Sequence, residues 1–554
     1  MKMTGSRIIV DSLLKLGVDT VFGYPGGAIM PLYDALYDAP LRHILPVHEQ
    51  GAAHAADGYA RATGRVGVCI ATSGPGATNL VTGLATAFMD SSPVVAITGQ
   101  VATALLGRDA FQEIDITGIT MPVTKHNFLV RDIEILAETI QQAFAIARSG
   151  RPGPVLIDVP RDILLGVSDY CPEIAVVHYK DQAAASPVAE QVRAAGKVLG
   201  AAQQPVLVVG GGVKAGNAEQ QVLQLAELSG IPIVSTLMGL GAVPYGYPRF
   251  LGLTGMHGHK TANLTVTHAD VIVAVGTRFS DRVTGDPKRY AVGKTVIHFD
   301  VDMAEFDKNI AADITIAGEL GQSLTQLVNC MTVNKQRLRN WWEQVGTWQR
   351  QFPPAYDQEH LTPPWIMRHM SETTVNLPVT WVTDVGQNQM WAAQHLHIKG
   401  SRDWVTSGGL GTMGFGLPAA IGAQIGCPDR KVVLIAGDGA FKMTGMELHT
   451  AVNQRLPLIC VLLNNRSLGM VRQWQHLFFD KRYSSTLLPE FDFAGFVRVC
   501  GAVALSASTP DEFAAAFKQA LGSALPTVII ADIDTDLIVN PMVYPGQPID
   551  QFID

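Results

Sequence analysis

Residues 431–465, KVVLIAGDGAFKMTGMELHTAVNQRLPLICVLLNN, contain two apolar runs that are separated by a segment of helical length. The first run ends in GDG at 437–439, and the second ends in NN at 464–465. Short apolar runs that alternate with helical segments are typical of a parallel sheet covered by helices on both faces. Two neighbouring parallel strands would place the Asp438 carboxylate and an asparagine amide oxygen at one edge of that sheet.

The N-terminal part of the chain repeats this arrangement. There, GVCIATSGPG (67–76) leads into a helical stretch and then into SPVVAITG (92–99), so two similarly built halves are expected. A further strand–helix series lies between the halves and includes PVLVVGGG (205–212). Residues 166–186 lack clear periodicity and are expected to be a linker. We predict an α/β fold of three doubly wound parallel-sheet domains, at residues 1–168, 185–330 and 370–554.

Composition narrows the class of protein. The chain has 554 residues, of which 47% are apolar and 16% charged, and its net charge is −8. This composition excludes a disordered chain, and the acidic balance argues against general nucleic-acid binding. So few charges for this length suggest that part of the surface is buried in an oligomer. The six scattered cysteines form no C-x-x-C pair and are expected to be buried in a reducing compartment.

No targeting or membrane segment is expected. Asp11 and Lys15 interrupt the apolar stretch near the N-terminus, where a secretory signal would be unbroken. Residues 66–89 and 406–427 are uncharged but are interrupted by Gly, Pro, Ser and Thr, whereas a membrane helix is more continuously apolar. We therefore predict a soluble cytoplasmic protein that binds neither membrane nor nucleic acid.

The two predicted strand ends at 437–439 and 464–465 carry the strongest chemical signal. Carboxylate and amide oxygens suit Mg²⁺, which proteins usually bind together with a phosphate. The glycines allow backbone N–H groups to approach a diphosphate. A GDG run that is followed by NN about 25 residues later resembles the thiamine-diphosphate-binding motif.

A second candidate is Glu49, which opens a predicted Ala-rich helix in PVHEQGAAHAADGYARATG (46–64). Taken alone, an acid in the first turn of a helix is most simply explained by the helix dipole. Thiamine enzymes, however, need a carboxylic acid beside N1′ of the aminopyrimidine. Proton exchange at that nitrogen drives the tautomerism that leads to deprotonation of the thiazolium carbon. Glu49 is the candidate for this acid.

Further motifs along almost the whole chain resemble the acetohydroxyacid synthase family, the large catalytic subunits of acetolactate synthase. These motifs are FGYPGGAIMPLYDAL (22–36), VHEQGAA (47–53), TSGPGATN (72–79), AFQEID (110–115), SGRPGPV (149–155), GMHG (255–258), RFSDRVTG (278–285), SGGLGTMGFGLPAA (407–420) and GMVRQWQ (469–475). The resemblance implies thiamine diphosphate, Mg²⁺ and FAD as cofactors. It also implies a role in branched-chain amino-acid biosynthesis, namely decarboxylation of pyruvate and transfer of the hydroxyethyl unit to a second pyruvate or to 2-ketobutyrate. The products would be 2-acetolactate and 2-aceto-2-hydroxybutyrate.

By position in these motifs, the resemblance assigns residues to thiamine diphosphate. At the pyrimidine end these are Tyr24, Glu49, Pro75, Asn79 and Gln112, together with the Gly411 carbonyl and Met413, which would wedge the cofactor into its bent form. The Mg²⁺ ligands would be Asp438, Asn465 and the carbonyl of Ser467. The residues along the diphosphate would be Gly386, Gln387, Asn388, Gly439, Ala440, Leu468 and Gly469, with Met470 also assigned to the cofactor.

The resemblance assigns the substrate contacts as well. Met470 and Trp474 are four residues apart and would share a helix face. In the family, this Trp favours the larger acceptor 2-ketobutyrate by contacting its extra methyl group. Phe111 would pack near the reaction intermediate, and Arg278 would reach the carboxylate of the acceptor. The predicted catalytic set is Glu49, Phe111, Gln112, Arg278, Met470 and Trp474.

FAD is expected in the middle domain, as a structural or vestigial group, because the carboligation involves no net redox change. The sequence there shows a Gly-rich turn and nothing specific for flavin. The residues that the resemblance assigns to FAD are Arg151, Gly210, Gly211, Gly212, Thr236, Leu237, Met256, His257, Gly276, Arg278, Arg282, Asp300 and Val301.

Four positions depart from the family pattern. Asn388 replaces a usual His and Ala440 replaces a usual Ser, both beside the diphosphate. Arg161 replaces a usual Lys at the substrate channel, and Glu319 replaces a usual Asp near the adenosine of FAD. None of these changes removes the acid, the metal ligands or Trp474, so we expect altered cofactor affinity rather than an altered reaction.

The two halves of a thiamine site come from two subunits in this superfamily. The resemblance therefore implies a homodimer or homotetramer with active sites at the subunit interface, and often a small regulatory subunit.

Four alternative functions are compatible with parts of the sequence. They are an FAD-free catabolic acetolactate synthase, a pyruvate oxidase, a glyoxylate carboligase and a silent paralogue, that is, a catalytically inactive relative that binds the cofactor. The motifs at 110–115 and 278–285 disfavour the catabolic synthase, and Trp474 disfavours pyruvate oxidase. Glu49 disfavours glyoxylate carboligase, and the retained acid and metal ligands disfavour a silent paralogue.

Overall fold

The computed structural model describes residues 2–170, 188–332, 335–353, 356–357 and 359–553. The chain forms two compact units. The first unit comprises Met1–Lys180, Asn376–Asn388 and Val405–Thr535, and the second comprises Asp181–Val375, Gln389–Trp404 and Asp536–Asp554. The predicted linker at 166–186 begins with a short strand, and its residues from 171 onward lie outside the described part of the chain.

The N-terminal part of the first unit alternates strands and helices, as the sequence predicts. Its strands are β1 (Lys2–Thr4), β2 (Thr20–Gly23), β3 (Arg42–Ile44), β4 (Gly67–Ala71), β5 (Val94–Gln100), β6 (His126–Leu129), β7 (Val155–Pro160) and β8 (Val167–Asp169). Its helices are α1 (Gly5–Lys15), α2 (Met30–Tyr37), α3 (Glu49–Thr63), α4 (Pro75–Asn79), α5 (Val81–Met89), α6 (Ile116–Thr120), α7 (Leu136–Arg148) and α8 (Arg161–Leu165). Every residue of β4, β5 and β7 is buried, as expected for strands covered on both faces.

The second unit contains the middle sheet. Its strands are β9 (Pro205–Val209), β10 (Ile233–Ser235), β11 (Phe250–Leu253), β12 (Val271–Val275), β13 (Thr295–Asp300) and β14 (Ile314–Ala317). The helices of this stretch are α9 (Ala189–Ala201), α10 (Gly211–Ala215), α11 (Glu219–Ser229), α12 (Lys260–Thr267), α13 (Asp281–Thr284), α14 (Pro287–Tyr290), α15 (Leu320–Cys330), α16 (Arg339–Gln351) and α17 (Pro363–Thr373). Helix α16 packs on this unit through Trp341, whose indole N–H donates to the carbonyl of Pro205 at 3.1 Å.

The C-terminal part of the chain supplies the third sheet. Its strands are β15 (Val379–Thr383), β16 (Trp404–Val405), β17 (Lys431–Gly437), β18 (Ile459–Asn464), β19 (Val503–Ala507) and β20 (Thr527–Asp532), followed by β21 (Met542–Val543) and β22 (Phe552–Ile553). Its helices are α18 (Gln387–His395), α19 (Gly416–Gly426), α20 (Asp438–Thr444), α21 (Glu447–Asn453), α22 (Gly469–Phe478), α23 (Phe493–Val499) and α24 (Pro510–Leu521).

The order of the strands confirms that the N-terminal and C-terminal halves are built alike. The N-terminal sheet has the order β3-β2-β4-β5-β7-β6, and the C-terminal sheet has the order β16-β15-β17-β18-β20-β19. When the strands of each sheet are numbered along the chain, both orders are the same. The middle sheet differs, with the order β11-β10-β9-β12-β13-β14. The predicted fold of three parallel-sheet domains is confirmed, whereas the boundaries at 1–168, 185–330 and 370–554 stay a prediction.

Helices α3 and α19 join the two sheets of the first unit by a very close contact. Gly58 of α3 lies against the backbone of Ala419, and Gly422 of α19 lies against the backbone carbonyl of Ala55. A Cβ atom at either glycine would overlap these carbonyl oxygens. The neighbouring positions are mostly buried alanines, so the two backbones pack almost directly on each other.

None of the described helices is both long and apolar enough to cross a membrane.

The close contact between α3 and α19 leads to a stability prediction. We expect Gly422→Ala to destabilise the protein by about 1–3 kcal/mol, because its methyl group would force the two helix backbones apart. Gly346→Ala on α16 is a matched control, since its Cβ would meet only the end of the Arg350 side chain at 3.4 Å. The control should be neutral or slightly stabilising. Urea unfolding measures both, and equal stability of the Gly422→Ala variant and the wild type would contradict this account.

Candidate active site

The carboxylate of Asp438 lies where strand β17 ends and helix α20 begins. Gly437 is paired with Leu463 of the neighbouring parallel strand β18, so Asp438 and Asn464 follow at the same edge of the sheet. Asp438 is 1% exposed, and one of its carboxylate oxygens accepts a hydrogen bond from the Gly439 N–H at 2.8 Å. Burial raises the pKa of Asp438 to about 6, against the lowering effect of the Gly439 N–H. The predicted adjacency of the two strand ends is confirmed.

The backbone of Ser467 reaches the Asp438 carboxylate, and Ser467, Asn465 and Gln387 form one hydrogen-bonded group. The side-chain oxygen of Asn465 accepts a hydrogen bond from the Ser467 N–H at 3.2 Å, and its amide nitrogen donates to Gln387 at 3.2 Å. Gln387 in turn donates to Gln473 of α22 at 2.9 Å. The hydroxyl oxygen of Ser467 is buried and has no hydrogen-bond partner among the described residues.

Side chains pack closely against two glycines of this edge. A Cβ atom at Gly439 would lie 2.6 Å from Leu468 and 3.7 Å from the terminal methyl group of Met413. A Cβ atom at Gly469 would overlap the side-chain oxygen of Gln387, and Gly386 has φ +134°. The structure thus brings Leu468 and Met413 close to Gly439 and brings Gln387 close to Gly469, whereas their assignment to thiamine diphosphate stays a prediction.

Two positions that depart from the family pattern lie at the same edge. The amide nitrogen of Asn388 donates to the carbonyl of Ile435 in β17 at 2.9 Å. Its side-chain oxygen lies on the side of Gly386 and Gly437. Ala440 is buried in the first turn of α20. Asn388 is thus fixed by the sheet and still presents an oxygen near the glycines.

The donor set fits a Mg²⁺–diphosphate group. It combines one buried carboxylate, one amide oxygen and a backbone carbonyl, which are the hard ligands that this cation prefers. Among the described residues there is no cluster of three or more His, Cys, Asp or Glu side chains that could hold a metal. Three protein oxygens would leave an octahedral Mg²⁺ incomplete, and phosphate oxygens and water are its usual further ligands.

Glu49 is the first residue of α3 and is half-buried. Its Oε2 accepts a hydrogen bond from the amide nitrogen of Asn79 at 3.0 Å. A Cβ atom at Gly76, directly after Pro75, would lie 3.3 Å from its Oε1. The structure therefore brings Glu49 together with the TSGPGATN segment.

Gln112 belongs to the same group. Gln112 has φ +60°. A Cβ atom at Gly74 would lie 2.8 Å from the Cβ atom of Gln112. Tyr24 follows β2, donates its backbone N–H to the carbonyl of Ile70 at 3.1 Å and is 39% exposed. Phe111 is 88% exposed.

An apolar groove of about 640 Å³ runs along α22. Met470 and Trp474 both line it, so the prediction that they share a helix face is confirmed. The Trp474 ring meets that of Phe478 edge to face, with centroids 5.7 Å apart. The complete lining is Met470, Val471, Trp474, Gln475, Phe479, Arg482 and Ser484.

The residues predicted for FAD fall into both units. Arg151 lies in the first unit, where its Nε donates to the Ser91 hydroxyl at 2.8 Å. In the second unit, Gly210 and Gly212 pack on Gly276, and the Gly212 N–H donates to the Gly276 carbonyl at 2.9 Å. These glycines end β9 and follow β12, the two strands at which the order of the middle sheet reverses.

The other predicted FAD residues lie in the second unit. Met256 and Arg282 are joined by a backbone hydrogen bond of 2.8 Å. His257, next to Met256, is half-buried, and desolvation of its ring together with the Arg282 charge lowers its pKa to about 4. The remaining positions follow strands of the middle sheet, namely Thr236 and Leu237 after β10, Arg278 after β12, and Asp300 with Val301 at the end of β13. This glycine turn at a reversal of strand order fits a dinucleotide.

The structure adds residues that sequence reasoning missed. Buried Asp384, after β15, accepts hydrogen bonds of 2.9 Å from the N–H groups of Gly414 and Gly416. Burial raises its pKa to about 6. Asp90, after α5, accepts hydrogen bonds from the N–H groups of Gly408 and Gly409 at 3.1 and 2.7 Å. Both carboxylates hold the loop that carries Gly411 and Met413. The sequence offers one signal for this loop-holding role, namely that Asp384 comes directly after a buried strand. Asp90 follows a helix and offers no such signal.

Profiles of the thiamine pyrophosphate enzymes match in three places, namely the N-terminal TPP-binding domain at residues 3–119, the central domain at 192–327 and the C-terminal TPP-binding domain at 384–531.

Similar full-length proteins include an acetolactate synthase large subunit of Mycobacterium tuberculosis, which is 46% identical over 99% of this chain and 91% of that protein. The large subunit of acetolactate synthase isozyme 2 of Escherichia coli is 46% identical over 98% of both chains. A probable acetolactate synthase large subunit of Methanocaldococcus jannaschii is 45% identical over 98% of this chain and 94% of that protein. The chain therefore belongs to the acetolactate synthase large-subunit family of thiamine pyrophosphate enzymes.

Proposed function

We propose that this protein is a biosynthetic acetolactate synthase that decarboxylates pyruvate and joins the two-carbon unit to a second pyruvate or to 2-ketobutyrate. The observation that carries the proposal is the pair of intact half-sites. The N-terminal sheet presents Glu49 held by Asn79, and the C-terminal sheet presents Asp438 at the edge where Asn464 and Asn465 end the neighbouring strand. A silent paralogue has no need of either arrangement. A pyruvate oxidase and a glyoxylate carboligase are disfavoured, because the similar full-length proteins named above are acetolactate synthases.

Asp438, Asn465 and the Ser467 carbonyl would hold Mg²⁺, and the backbone around Gly386, Gly439 and Gly469 would receive the diphosphate. When bound, thiamine diphosphate would supply the carbanion chemistry of the reaction, namely attack on the ketone of a 2-ketoacid and stabilisation of the negative charge left by loss of CO₂. The raised pKa of Asp438 supports this assignment, since burial leaves the carboxylate in need of a compensating cation.

Glu49 would hold and move the proton at the pyrimidine ring. Asn79 occupies Oε2, so Oε1 is the oxygen available for proton exchange. The hydrogen bond from Asn79 also limits rotation of the carboxyl group, which keeps this oxygen in one place. Gln112 and Tyr24 would line the same end, and Gly411 and Met413 would set the shape of the bound cofactor.

The groove on α22 would receive the substrates. Its lining is mostly apolar, which suits the short aliphatic tail of a 2-ketoacid, and Trp474 offers a flat surface to the extra methyl group of 2-ketobutyrate. A single methylene contributes about 1–3 kcal/mol to such discrimination. Exposed Phe111 would cover the reacting atoms, and Arg278 would bind the carboxylate of the acceptor.

FAD and the assembly complete the proposal. The glycine turn after β9, at the reversal of strand order in the middle sheet, supports a flavin dinucleotide there.

Exposed apolar side chains close in sequence to the half-site residues, such as Met30, Leu410 and Met443, support burial by a second copy of the chain. We propose a homodimer or homotetramer with sites at the subunit interface, and a small regulatory subunit as a further partner.

One assay tests the proposed reaction. Purified protein is given thiamine diphosphate, Mg²⁺, FAD and pyruvate, with and without 2-ketobutyrate, and the acetohydroxy acids are quantified. We expect both products, with acetohydroxybutyrate preferred when both acceptors are present. Omission of thiamine diphosphate serves as the control. Absence of product, even after addition of a small subunit, would favour the silent paralogue.

Glu49→Gln should lower turnover by about 10²–10⁴-fold, because the amide cannot exchange the required proton. Binding of thiamine diphosphate, followed by calorimetry, should change little. Glu138→Gln is a matched control, because Glu138 is an exposed acid that contacts only Gln142 among the described residues. A wild-type rate in the Glu49 variant would refute the role of this acid.

Trp474→Leu should erode the preference for 2-ketobutyrate by about 10-fold or more, because the flat contact with the extra methyl group is lost. Activity with pyruvate alone should survive. The measurement is the ratio of the two products at equal acceptor concentrations. An unchanged ratio would mean that another residue of the groove selects the acceptor.

A further inference from the structure

A carboxylate from the C-terminal sheet lies against the chain directly before Glu49. Glu447 opens α21 and is only 3% exposed. Its Oε1 accepts hydrogen bonds from the N–H groups of Val47 and His48 at 3.1 and 3.2 Å. Its Oε2 lies 3.2 Å from the same Val47 nitrogen and accepts the Thr450 hydroxyl at 2.8 Å.

This contact stabilises the beginning of α3. The His48 side chain accepts the Gln50 N–H at 3.1 Å, so it serves as the cap of the helix. Glu447 binds the two N–H groups immediately before the helix, and its negative charge lies near the positive end of the helix dipole. The position and direction of the first residue, Glu49, are therefore fixed from two sides.

The packing at Gly51 shows how closely the carboxylate is fitted. A Cβ atom at Gly51 would overlap Oε1 of Glu447, so no other residue is accommodated there while the carboxylate stays in place. Gly51 has no positive φ, so backbone conformation does not require a glycine at this position.

The cost of burying Glu447 indicates that the contact matters. Burial raises the pKa of Glu447, and no Lys or Arg of the described residues forms an ion pair with it. An unpaired buried carboxylate is unfavourable unless hydrogen bonds satisfy it. Two of the three groups that donate hydrogen bonds to it, the N–H groups of Val47 and His48, belong to the segment that leads to Glu49, and the third is the Thr450 hydroxyl of α21 itself.

We propose that Glu447 is a positioning residue that holds the backbone of Val47 and His48 and thereby sets the placement of Glu49. The proposal rests on the proposed function, since the role of Glu49 does. According to this proposal, the position of Glu49 depends on a residue of α21, the helix that follows α20 in the same chain. Helix α20 begins with Asp438, the proposed metal ligand. The Glu49 half-site and the Asp438 half-site of one chain would then be connected through the contact of Glu447 with Val47 and His48.

Two substitutions of Glu447 and a control test this proposal. Glu447→Ala removes all acceptors, and we expect kcat to fall about 10- to 100-fold, because a displacement of about 1 Å at a catalytic group has effects of this size. The KM for pyruvate and the Kd for thiamine diphosphate should change less than about threefold. Glu447→Gln keeps one oxygen for the two N–H groups and should restore most of the rate. Glu138→Ala controls for loss of an acid as such.

Gly51→Ala tests the contact without altering Glu447. Its methyl group should displace the carboxylate and lower kcat as Glu447→Ala does, although alanine is otherwise favoured in a helix. The double variant Glu447→Ala/Gly51→Ala should be no slower than Glu447→Ala alone, because the methyl group then fills the vacated space. If the two losses multiply instead, the positions act independently and the proposal is wrong.

Hydrogen exchange provides a readout that does not depend on activity. In cofactor-free protein, the N–H groups of Val47 and His48 should exchange at least about tenfold faster in Glu447→Ala than in the wild type. Mass spectrometry of the peptide around residues 45–52 measures this difference.

The two readouts separate the two proposals. Unchanged exchange, or a wild-type kcat in both Glu447→Ala and Gly51→Ala, would overturn the role of Glu447. Equal losses of kcat and cofactor affinity would also overturn it, since they indicate a general structural role. If Glu447→Ala fails to fold, Gly51→Ala and Glu447→Gln decide. Faster exchange in a protein whose wild type lacks synthase activity would instead refute the proposed function and leave the contact established.

Discussion

The backbone contact between α3 and α19 is the constraint on which the first unit depends. Gly58 and Gly422 remove the side chains that would separate the two helices, and buried alanines complete the contact. Helix α3 begins with Glu49, and α19 follows the loop that carries Gly411 and Met413. A single helix pair thus fixes the starting points of two elements of the candidate site, one from each duplicated sheet.

Buried carboxylates then fix the loops around this helix pair. Asp90 forms ion pairs with Arg61, which also binds Asp57. Asp384 binds the N–H groups at the start of α19, and Glu447 binds those before α3. Charges that are buried in this way stabilise a structure only when their partners are in place. They therefore favour one loop conformation strongly over others, which a preorganised site requires.

The duplicated sheets have diverged in chemistry while keeping their strand order. The N-terminal sheet places an acid at the start of the helix after β3, and the C-terminal sheet places carboxylate and amide side chains after β17 and β18. In each sheet these residues follow the carboxyl ends of parallel strands, where open α/β sheets bind ligands. The middle sheet has a different order and ends its strands in close-packed glycines, so it is suited to another ligand class.

The sequence by itself determined the local elements and their chemistry. Apolar runs that end in glycine predicted the strands. GDG and NN predicted that Asp438 and the asparagines lie at one edge of the C-terminal sheet, where a metal site is proposed. Both signals depend on short-range spacing. The same was true of Glu49 at a helix start and of the face shared by Met470 and Trp474. Only the tertiary structure decided which distant groups meet. Glu447 and Val47 are separated by 400 positions, and Asp90 and Gly409 by 319. No local pattern encodes such pairs, because they arise from how the two sheets pack.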